Sequence, residues 1–306
     1  MHRALALLIT TVAVTATACS SGPASGAPGT PAASAAGTVN VVASTNVYGD
    51  IATAIGGDAV TVTSIIDDPE KDPHEYEANA QTQLALAKAQ LVIENGAGYD
   101  DFMDTMLASA PTTPTLINVA ALSGYDQQPA TGGFNEHLWY DFPTMTKLAT
   151  QLSTDLAAAA PAHAATFQAN TATFTAELTK LEQAEATIKT QHGGTGVAIT
   201  EPVPLYLLDA AGLTNQTPAA FSEAIEEDTD VPPAVLQDTL NLFDQKKVAL
   251  LAYNEQTTGP QTEAVLNAAK TNTIAVVPVT ETLPTGDTYL TWMTKNVAAV
   301  AAGLSR

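Results

Sequence analysis

A long helical segment divides this chain into two halves that repeat the same alternation of strands and helices. Helical patterning runs from Pro143 to Leu156 and, after Pro161, from Ala162 to about Gln191, where Gly193-Gly194 ends it. In its second part, apolar residues recur at three- and four-residue steps, the spacing of an amphipathic helix: Phe167, Phe174, Leu178, Leu181, Ala184 and Ile188. We therefore expect two α/β lobes joined by one long helix.

Short runs of β-branched and aliphatic residues mark the strands on both sides of that helix. Before it lie Val39–Ser44, Val60–Ile66, Leu91–Asn95 and Thr115–Val119; after it lie Gly196–Thr200, Val248–Tyr253 and Thr273–Val279. Helical patterns separate these runs, and a last helix is predicted over Tyr289–Leu304. Strands that alternate with helices form parallel βαβ units, and such sheets bind ligands beyond the carboxyl ends of their strands.

The first 37 residues have the composition of an exported, lipid-anchored protein. Arg3 precedes an apolar run too short to span a bilayer, and Ala16-Thr17-Ala18-Cys19 resembles a bacterial lipobox, with Ala16 where Leu is usual. We expect a signal peptide over 1–18 and a lipid on Cys19, which would hold the protein on the outer face of the cytoplasmic membrane. The alternative is an ordinary secretory signal that contains a Cys.

The remaining boundaries follow from composition and pattern. Residues 19–37 are almost entirely Ser, Gly, Pro, Ala and Thr, as in a flexible linker. We expect an N-terminal α/β lobe over 38–142, the helical segment over 143–192 and a C-terminal α/β lobe over 193–306.

The charge of the chain excludes several classes of partner. Asp and Glu number 32 against 11 Lys and Arg, a formal net charge of −21. Such a chain repels nucleic acid and attracts cations. The only Cys is Cys19, so disulfide scaffolds and zinc fingers are excluded.

Three side chains at predicted strand or loop ends are candidate metal ligands. His74 lies in Asp72-Pro73-His74-Glu75-Tyr76-Glu77 after the second strand, His137 precedes the long helical segment, and Glu201 directly follows the strand ending at Thr200. Two imidazoles and a carboxylate suit Zn²⁺ or Mn²⁺. Their spacing along the chain does not show that the three residues form one site, because each could be an unrelated surface residue. No role is expected for His163 and His192, which lie in helical sequence.

Several motifs together resemble the solute-binding proteins of zinc- and manganese-type ABC importers, the cluster A-I family. The resemblance runs from Val39 to Leu304 and is carried by residues 72–77, Asn135–Asp141, Thr200-Glu201-Pro202 before Leu205-Tyr206, and Tyr253–Thr257. It implies two lobes joined stiffly by one helix, with a metal in the cleft. It also implies His74, His137 and Glu201 as ligands, with Asp72, Glu75 and Glu136 in supporting positions. A monomer that docks on a membrane permease is expected.

The fourth ligand is where the sequence departs from that family. Manganese-type relatives have an Asp in a late loop, whereas Asn254–Pro260 contains none. Glu255, Gln256, Thr257, Thr258 or a water could complete the site. Glu201 favours the harder manganese ion, while the missing Asp favours zinc, so we expect zinc ahead of manganese.

The sequence also bears on other functions. There is no phosphate-binding loop, so the chain is not the importer's ATPase, and neither H-E-x-x-H nor G-x-S-x-G occurs. We therefore predict a binding protein and not an enzyme. The alternatives are a cell-surface adhesion or interaction protein on the same scaffold, or a zinc-dependent hydrolase.

Overall fold

The computed structural model describes residues 38–68, 76, 79–130 and 132–305. The predicted signal peptide over 1–18, the lipidated Cys19 and the linker over 19–37 lie outside these residues. So do His74 and its neighbours Asp72 and Glu75. Among the described residues, no helix has both the length and the apolar character that a membrane-spanning segment needs.

The first half forms a sheet of four parallel strands. They are β1 (Val39–Thr45), β2 (Val60–Ile66), β3 (Leu91–Glu94) and β4 (Thr115–Asn118), in the spatial order β2-β1-β3-β4. Val39 pairs with Val60, and Leu91 pairs with Thr115. The central strands β1 and β3 are almost entirely buried, which fits the apolar runs Val41–Ala43 and Leu91–Ile93.

Helices α1 (Asn46–Gly56), α2 (Ala80–Leu86) and α3 (Asp101–Ala108) lie between these strands, and α4 (Val119–Ser123) follows β4. Asn79 caps α2 by accepting hydrogen bonds from the N–H groups of Gln81 and Thr82. Asn118 caps α4 through the N–H of Ala121. The turn after β3 needs glycine, because Gly96 has φ +78° and a Cβ there would lie 2.3 Å from the Asn118 amide nitrogen.

The second half repeats the arrangement. Its strands are β5 (Gly196–Ile199), β6 (Thr214–Asn215), β7 (Leu250–Asn254) and β8 (Ala275–Val279), all parallel in the order β6-β5-β7-β8. Its helices are α7 (Leu205–Ala210), α8 (Ala219–Glu226), α9 (Pro233–Asp244), α10 (Pro260–Thr271) and α11 (Tyr289–Leu304). β8 begins two residues later than predicted because Thr273, with φ 59°, turns the chain out of α10. Sequence patterning missed β6, which has only two residues.

Two helices between the halves match the predicted helical segment. They are α5 (Phe142–Ala159), which Asp141 caps by accepting from the N–H of Thr144, and α6 (Ala164–His192). The 29 residues of α6 make a helix about 44 Å long. It packs against α1 and α5 on one side and against α7 and α11 on the other. The predicted architecture, two parallel α/β lobes connected by a long helix, is thus confirmed.

Hydrogen bonds between buried residues tie the two halves together. The Tyr289 hydroxyl donates to the carbonyl of Trp139 at 2.7 Å, and the Tyr140 hydroxyl donates to the carbonyl of Thr280 at 2.9 Å. Asn46 and Leu283 exchange two further bonds, of 3.0 and 2.9 Å. These hydrogen bonds fix the first half of the chain to the second near the carboxyl ends of β1 and β8.

One buried position on α6 departs from the predicted apolar face. Five of the six apolar residues are buried, but Ala184 is only half-buried and Glu185 beside it is 4% exposed. Burial raises the pKa of Glu185 to about 8, and the carboxylates of Glu182 and Asp141 add to the shift. The folded state therefore favours the protonated acid at this position.

We predict that Glu185 makes stability fall as pH rises. Between an unfolded pKa near 4.5 and a folded pKa of about 8, the folded state binds more protons than the unfolded state. The free energy of unfolding then decreases with pH by up to about 1.4 kcal/mol per pH unit. Glu185→Gln should remove this loss, so its stability advantage over the wild type should grow from pH 5 to pH 8 in chemical denaturation.

The matched control is Glu177→Gln on the same helix, where the side chain is 44% exposed. The free energy of unfolding of Glu177→Gln should change with pH as that of the wild type does. If the free energies of unfolding of Glu185→Gln and the wild type change with pH in the same way, the Glu185 carboxyl is solvated in the folded protein.

Candidate metal centre

His137 is fully buried and does not belong to an exposed loop. It immediately precedes a single 3₁₀ turn, Leu138–Tyr140, whose three side chains are all buried. The imidazole packs edge-on against Trp139, with ring centroids 5.1 Å apart, and against Tyr99 at 6.2 Å. These apolar contacts anchor the segment that sequence analysis singled out and fix the direction of its histidine.

The side-chain amide of Asn135 orients the imidazole. Its Oδ1 lies 2.7 Å from His137 Nδ1 and accepts the backbone N–H of His137 at 3.2 Å, while its Nδ2 donates to the carbonyl of Pro202 at 3.2 Å. Because the Pro202 carbonyl can only accept, the amide nitrogen faces Pro202 and Oδ1 faces the ring. Nδ1 therefore carries the proton, and Nε2 presents a lone pair, as a metal-binding histidine would.

Two carboxylates face that nitrogen. The distance from His137 Nε2 to Glu226 Oε1 is 3.3 Å, and the distance to Glu281 Oε2 is 3.9 Å. Glu226 is the last residue of α8, and Glu281 is the second residue after β8. Within the described residues, Nε2 has no hydrogen-bond partner. The imidazole thus points into an acidic cluster drawn from the other half of the chain.

Asn254 and Gln256 hold Glu281 in place. Asn254, the last residue of β7, donates from Nδ2 to Glu281 Oε1 at 3.0 Å. Gln256 Oε1 accepts from the backbone N–H groups of Glu281 and Thr282. Thr257 accepts from Asn254, while Glu255 and Thr258 are exposed. The loop expected to supply the fourth ligand therefore supports Glu281, and Glu281 itself faces His137.

Glu201 lies at the carboxyl end of β5 and is buried. Thr200 before it accepts the backbone N–H of Asn254 at 2.9 Å, and the carbonyl of Pro202 after it accepts the Asn135 amide. The hydroxyl of Thr200 and the carbonyl of Pro202, on either side of Glu201, are thus bound to residues that position Glu281 and His137. Glu136, predicted as a supporting residue, is half-buried, and its carbonyl accepts the N–H of Leu138. The role of His74 stays a prediction.

Over residues 38–68, 76, 79–130 and 132–305, no three His, Cys, Asp or Glu side chains converge as a complete metal site. Carboxylates crowded together repel one another, and a cation between them removes that repulsion. Among the described residues, the arrangement around His137 is one imidazole nitrogen with two carboxyl groups within 3.9 Å of it.

Sequence reasoning missed both carboxylates that face His137. Glu281 follows a predicted strand, as Glu201 does, so the same rule about strand ends could have identified it. Glu226 lies at the end of a helix in the acidic run Glu226-Glu227-Asp228, where no sequence signal distinguishes it from its neighbours.

We predict that Asn135→Ala weakens metal binding by about 10- to 100-fold, because the imidazole loses the acceptor that fixes its tautomer and orientation. Competition titration against a chelating indicator measures the change. The control is Asn272→Ala, which removes an amide whose hydrogen bonds go to Asp244 at 2.9 Å and to the carbonyl of Ala268 at 3.1 Å. Unchanged affinity in a folded Asn135→Ala protein would contradict the role assigned to Asn135.

Comparison with known proteins identifies the family. The family model described as "ZnuA: Zinc-uptake complex component A periplasmic" matches residues 41–303. The metal ABC transporter substrate-binding lipoprotein FimA of Streptococcus parasanguinis is 24% identical over 303 residues, covering 94% of each chain. The manganese ABC transporter substrate-binding lipoprotein PsaA of Streptococcus anginosus is 23% identical, covering 99% of this chain and 98% of its own.

A solved structure has the same fold. The crystal structure of ZnuA superimposes with a TM-score of 0.70 at 19% identity and covers 87% of this chain and 98% of its own. The family resemblance and the prediction of a protein without enzymatic activity are both confirmed. The chain belongs to the ZnuA family of metal-binding components of ABC transporters.

Proposed function

We propose that this protein captures a divalent transition metal, Zn²⁺ or Mn²⁺, outside the cytoplasmic membrane and delivers it to the permease of an ABC importer. The observation that carries the proposal is the buried imidazole of His137, whose Nε2 faces the carboxylates of Glu226 and Glu281. The family assignment supports the same function.

In this proposal His74, His137, Glu201 and Glu281 bind the ion. Histidines bind as neutral imidazoles and glutamates as carboxylates, so capture requires deprotonated donors. His137 belongs to the first half of the chain, while Glu201 and Glu281 belong to the second, so the ion would bridge the two. Because α6 packs on both halves, release is expected to involve local shifts of ligand-bearing loops rather than a wide hinge motion.

The choice between zinc and manganese turns on the number of carboxylates. The expectation of zinc ahead of manganese depended on a missing fourth acidic ligand, and Glu281 supplies a carboxylate near that position. Two imidazoles with two carboxylates suit Mn²⁺ as well as Zn²⁺. Manganese is also named for PsaA, one of the relatives. Both ions therefore belong to the proposal.

The proposed location also rests on relatives and sequence. FimA and PsaA are named lipoproteins, which supports a lipid on Cys19 as the anchor. A net charge of −21 would raise the cation concentration near the surface, within a screening length of about 8 Å at physiological salt. We propose a monomer that docks on its permease with the metal bound.

We predict that the purified protein binds one equivalent of Zn²⁺ or Mn²⁺ tightly and that His137→Ala reduces the affinity at least about 100-fold, since a buried ligand cannot be replaced by solvent. His192→Ala, at the end of α6, is the control and should bind as the wild type does. Competitive titration with both ions gives the affinities. Failure of the wild type to bind either ion would contradict metal capture and favour an interaction role.

A second prediction separates the two candidate positions of the fourth ligand. Glu281→Ala should weaken metal binding by about tenfold or more, as loss of a charged donor requires. Glu255→Ala removes the same charge from an exposed residue of the neighbouring loop and should leave the affinity unchanged. If Glu255→Ala weakens metal binding and Glu281→Ala does not, the fourth ligand lies in the Asn254–Pro260 loop.

A further inference from the structure

Glu226 occupies a position that neither the motifs nor the four proposed ligands include. It is the last residue of α8, and its side chain is 12% exposed. Phe221 and Ile225 of the same helix are buried in an apolar cluster with Leu242 and Phe243 of α9, which anchors α8. The helix ends there, and Asp228 turns the chain with φ 48°. Glu226 is thus held at a defined place beside His137.

The surroundings of Glu226 favour a cation. Backbone carbonyls at the end of α8 give this helix terminus a partial negative charge. The carboxyl group of Glu281, from the loop after β8, faces the same imidazole, so two acidic side chains approach one ring nitrogen. A divalent cation is the ligand that this combination of charges favours.

The spacing between Glu226 and His137 is that of two donors on one ion. Two donors about 2.0–2.2 Å from one ion, at angles between about 90° and 109°, lie about 2.8–3.6 Å apart. Glu226 Oε1 lies 3.3 Å from His137 Nε2, and Nε2 makes no hydrogen bond to any described residue. Glu281 Oε2, at 3.9 Å, is slightly farther away. Of the two, Glu226 is therefore the carboxylate already placed to share an ion with His137.

We propose that Glu226 contacts the bound metal directly and shifts the preference of the site toward manganese. This inference rests on the proposed function, because it adds a donor to the site where His137 binds the ion. With His74, His137, Glu201 and Glu281, the added carboxylate makes five side-chain donors, three of them anionic. Structural zinc is satisfied by four donors, whereas Mn²⁺ accepts more ligands and prefers oxygen.

The test compares Glu226→Gln with Glu227→Gln. Both substitutions remove one negative charge and keep the side-chain shape, but Glu227 is exposed. Glu226→Gln should lower the affinity for Mn²⁺ about tenfold or more and the affinity for Zn²⁺ by a smaller factor. Glu227→Gln should match the wild type for both ions. Circular dichroism and thermal melting establish that each variant is folded.

A spectroscopic measurement tests the contact itself. Co²⁺ substituted into the site absorbs visible light more intensely with four donors than with five or six. Loss of the Glu226 donor should therefore strengthen the absorption of the Co²⁺ protein in Glu226→Gln and in Glu226→Ala. Identical spectra and identical affinities in the wild type and both variants would overturn the proposal.

The remaining outcomes distinguish this inference from the proposed function. If His137→Ala loses binding while Glu226→Gln retains full Mn²⁺ affinity, Glu226 is not a contact and metal capture stands. If the wild type binds neither Zn²⁺ nor Mn²⁺, the proposed function itself fails, and if His137→Ala retains full affinity, the site around His137 and Glu226 is not the metal site. Tighter metal binding in Glu226→Gln would mean that Glu226 competes with the ion for His137, which also overturns the proposal.

Discussion

The side-chain amide of Asn135 is the interaction on which the geometry of the metal centre depends. One side of this amide fixes the imidazole of His137, and the other side binds the carbonyl of Pro202 in the second half of the chain. The Tyr206 hydroxyl donates to the backbone carbonyl of Asn135 at 2.8 Å and adds another bond across the halves. Ligand orientation and attachment of the two lobes are therefore achieved by the same residue.

Asn254 has the corresponding role within the second half. Its backbone N–H binds Thr200, next to Glu201, and its side chain binds Glu281. Two asparagines thus organise the candidate ligands, and both present an amide that donates with one end and accepts with the other. Neither residue carries a charge, so they orient the candidate donors without adding a charge of their own.

Much of the fold was predictable because its signals are local. The long helix α6 has an apolar stripe of the correct period, and the central strands contain the short apolar runs Val41–Ala43 and Leu91–Ile93. Glu185 was missed because a single carboxyl on a long amphipathic helix normally faces solvent, and only tertiary packing buries it. Strand β6 was missed because two residues carry no periodicity.

The candidate site was predictable only in part. His137 and Glu201 lie beside elements that the sequence marks clearly, and Glu281 follows a strand that the sequence also marks. The sequence placed the candidate fourth ligand in the loop Asn254–Pro260, with Glu255 and Gln256 among the candidates. In the structure, Gln256 instead accepts the backbone N–H of Glu281. Glu226 reaches His137 only through the packing of α8 on α9, which brings together residues 89 positions apart along the chain. No local pattern encodes that approach.

The distribution of restraints also indicates which parts of the site can respond to the metal. His137 is enclosed by Trp139 and Tyr99 and oriented by Asn135, so it is a fixed point. Glu226 lies at the end of a helix, where backbone hydrogen bonding is incomplete, whereas the backbone N–H groups of Glu281 and Thr282 bind Gln256. Under the proposed function, we therefore expect a response to the metal at the end of α8 before one at His137 or Glu281. A local shift of that kind is compatible with a long helix that packs on both halves of the chain.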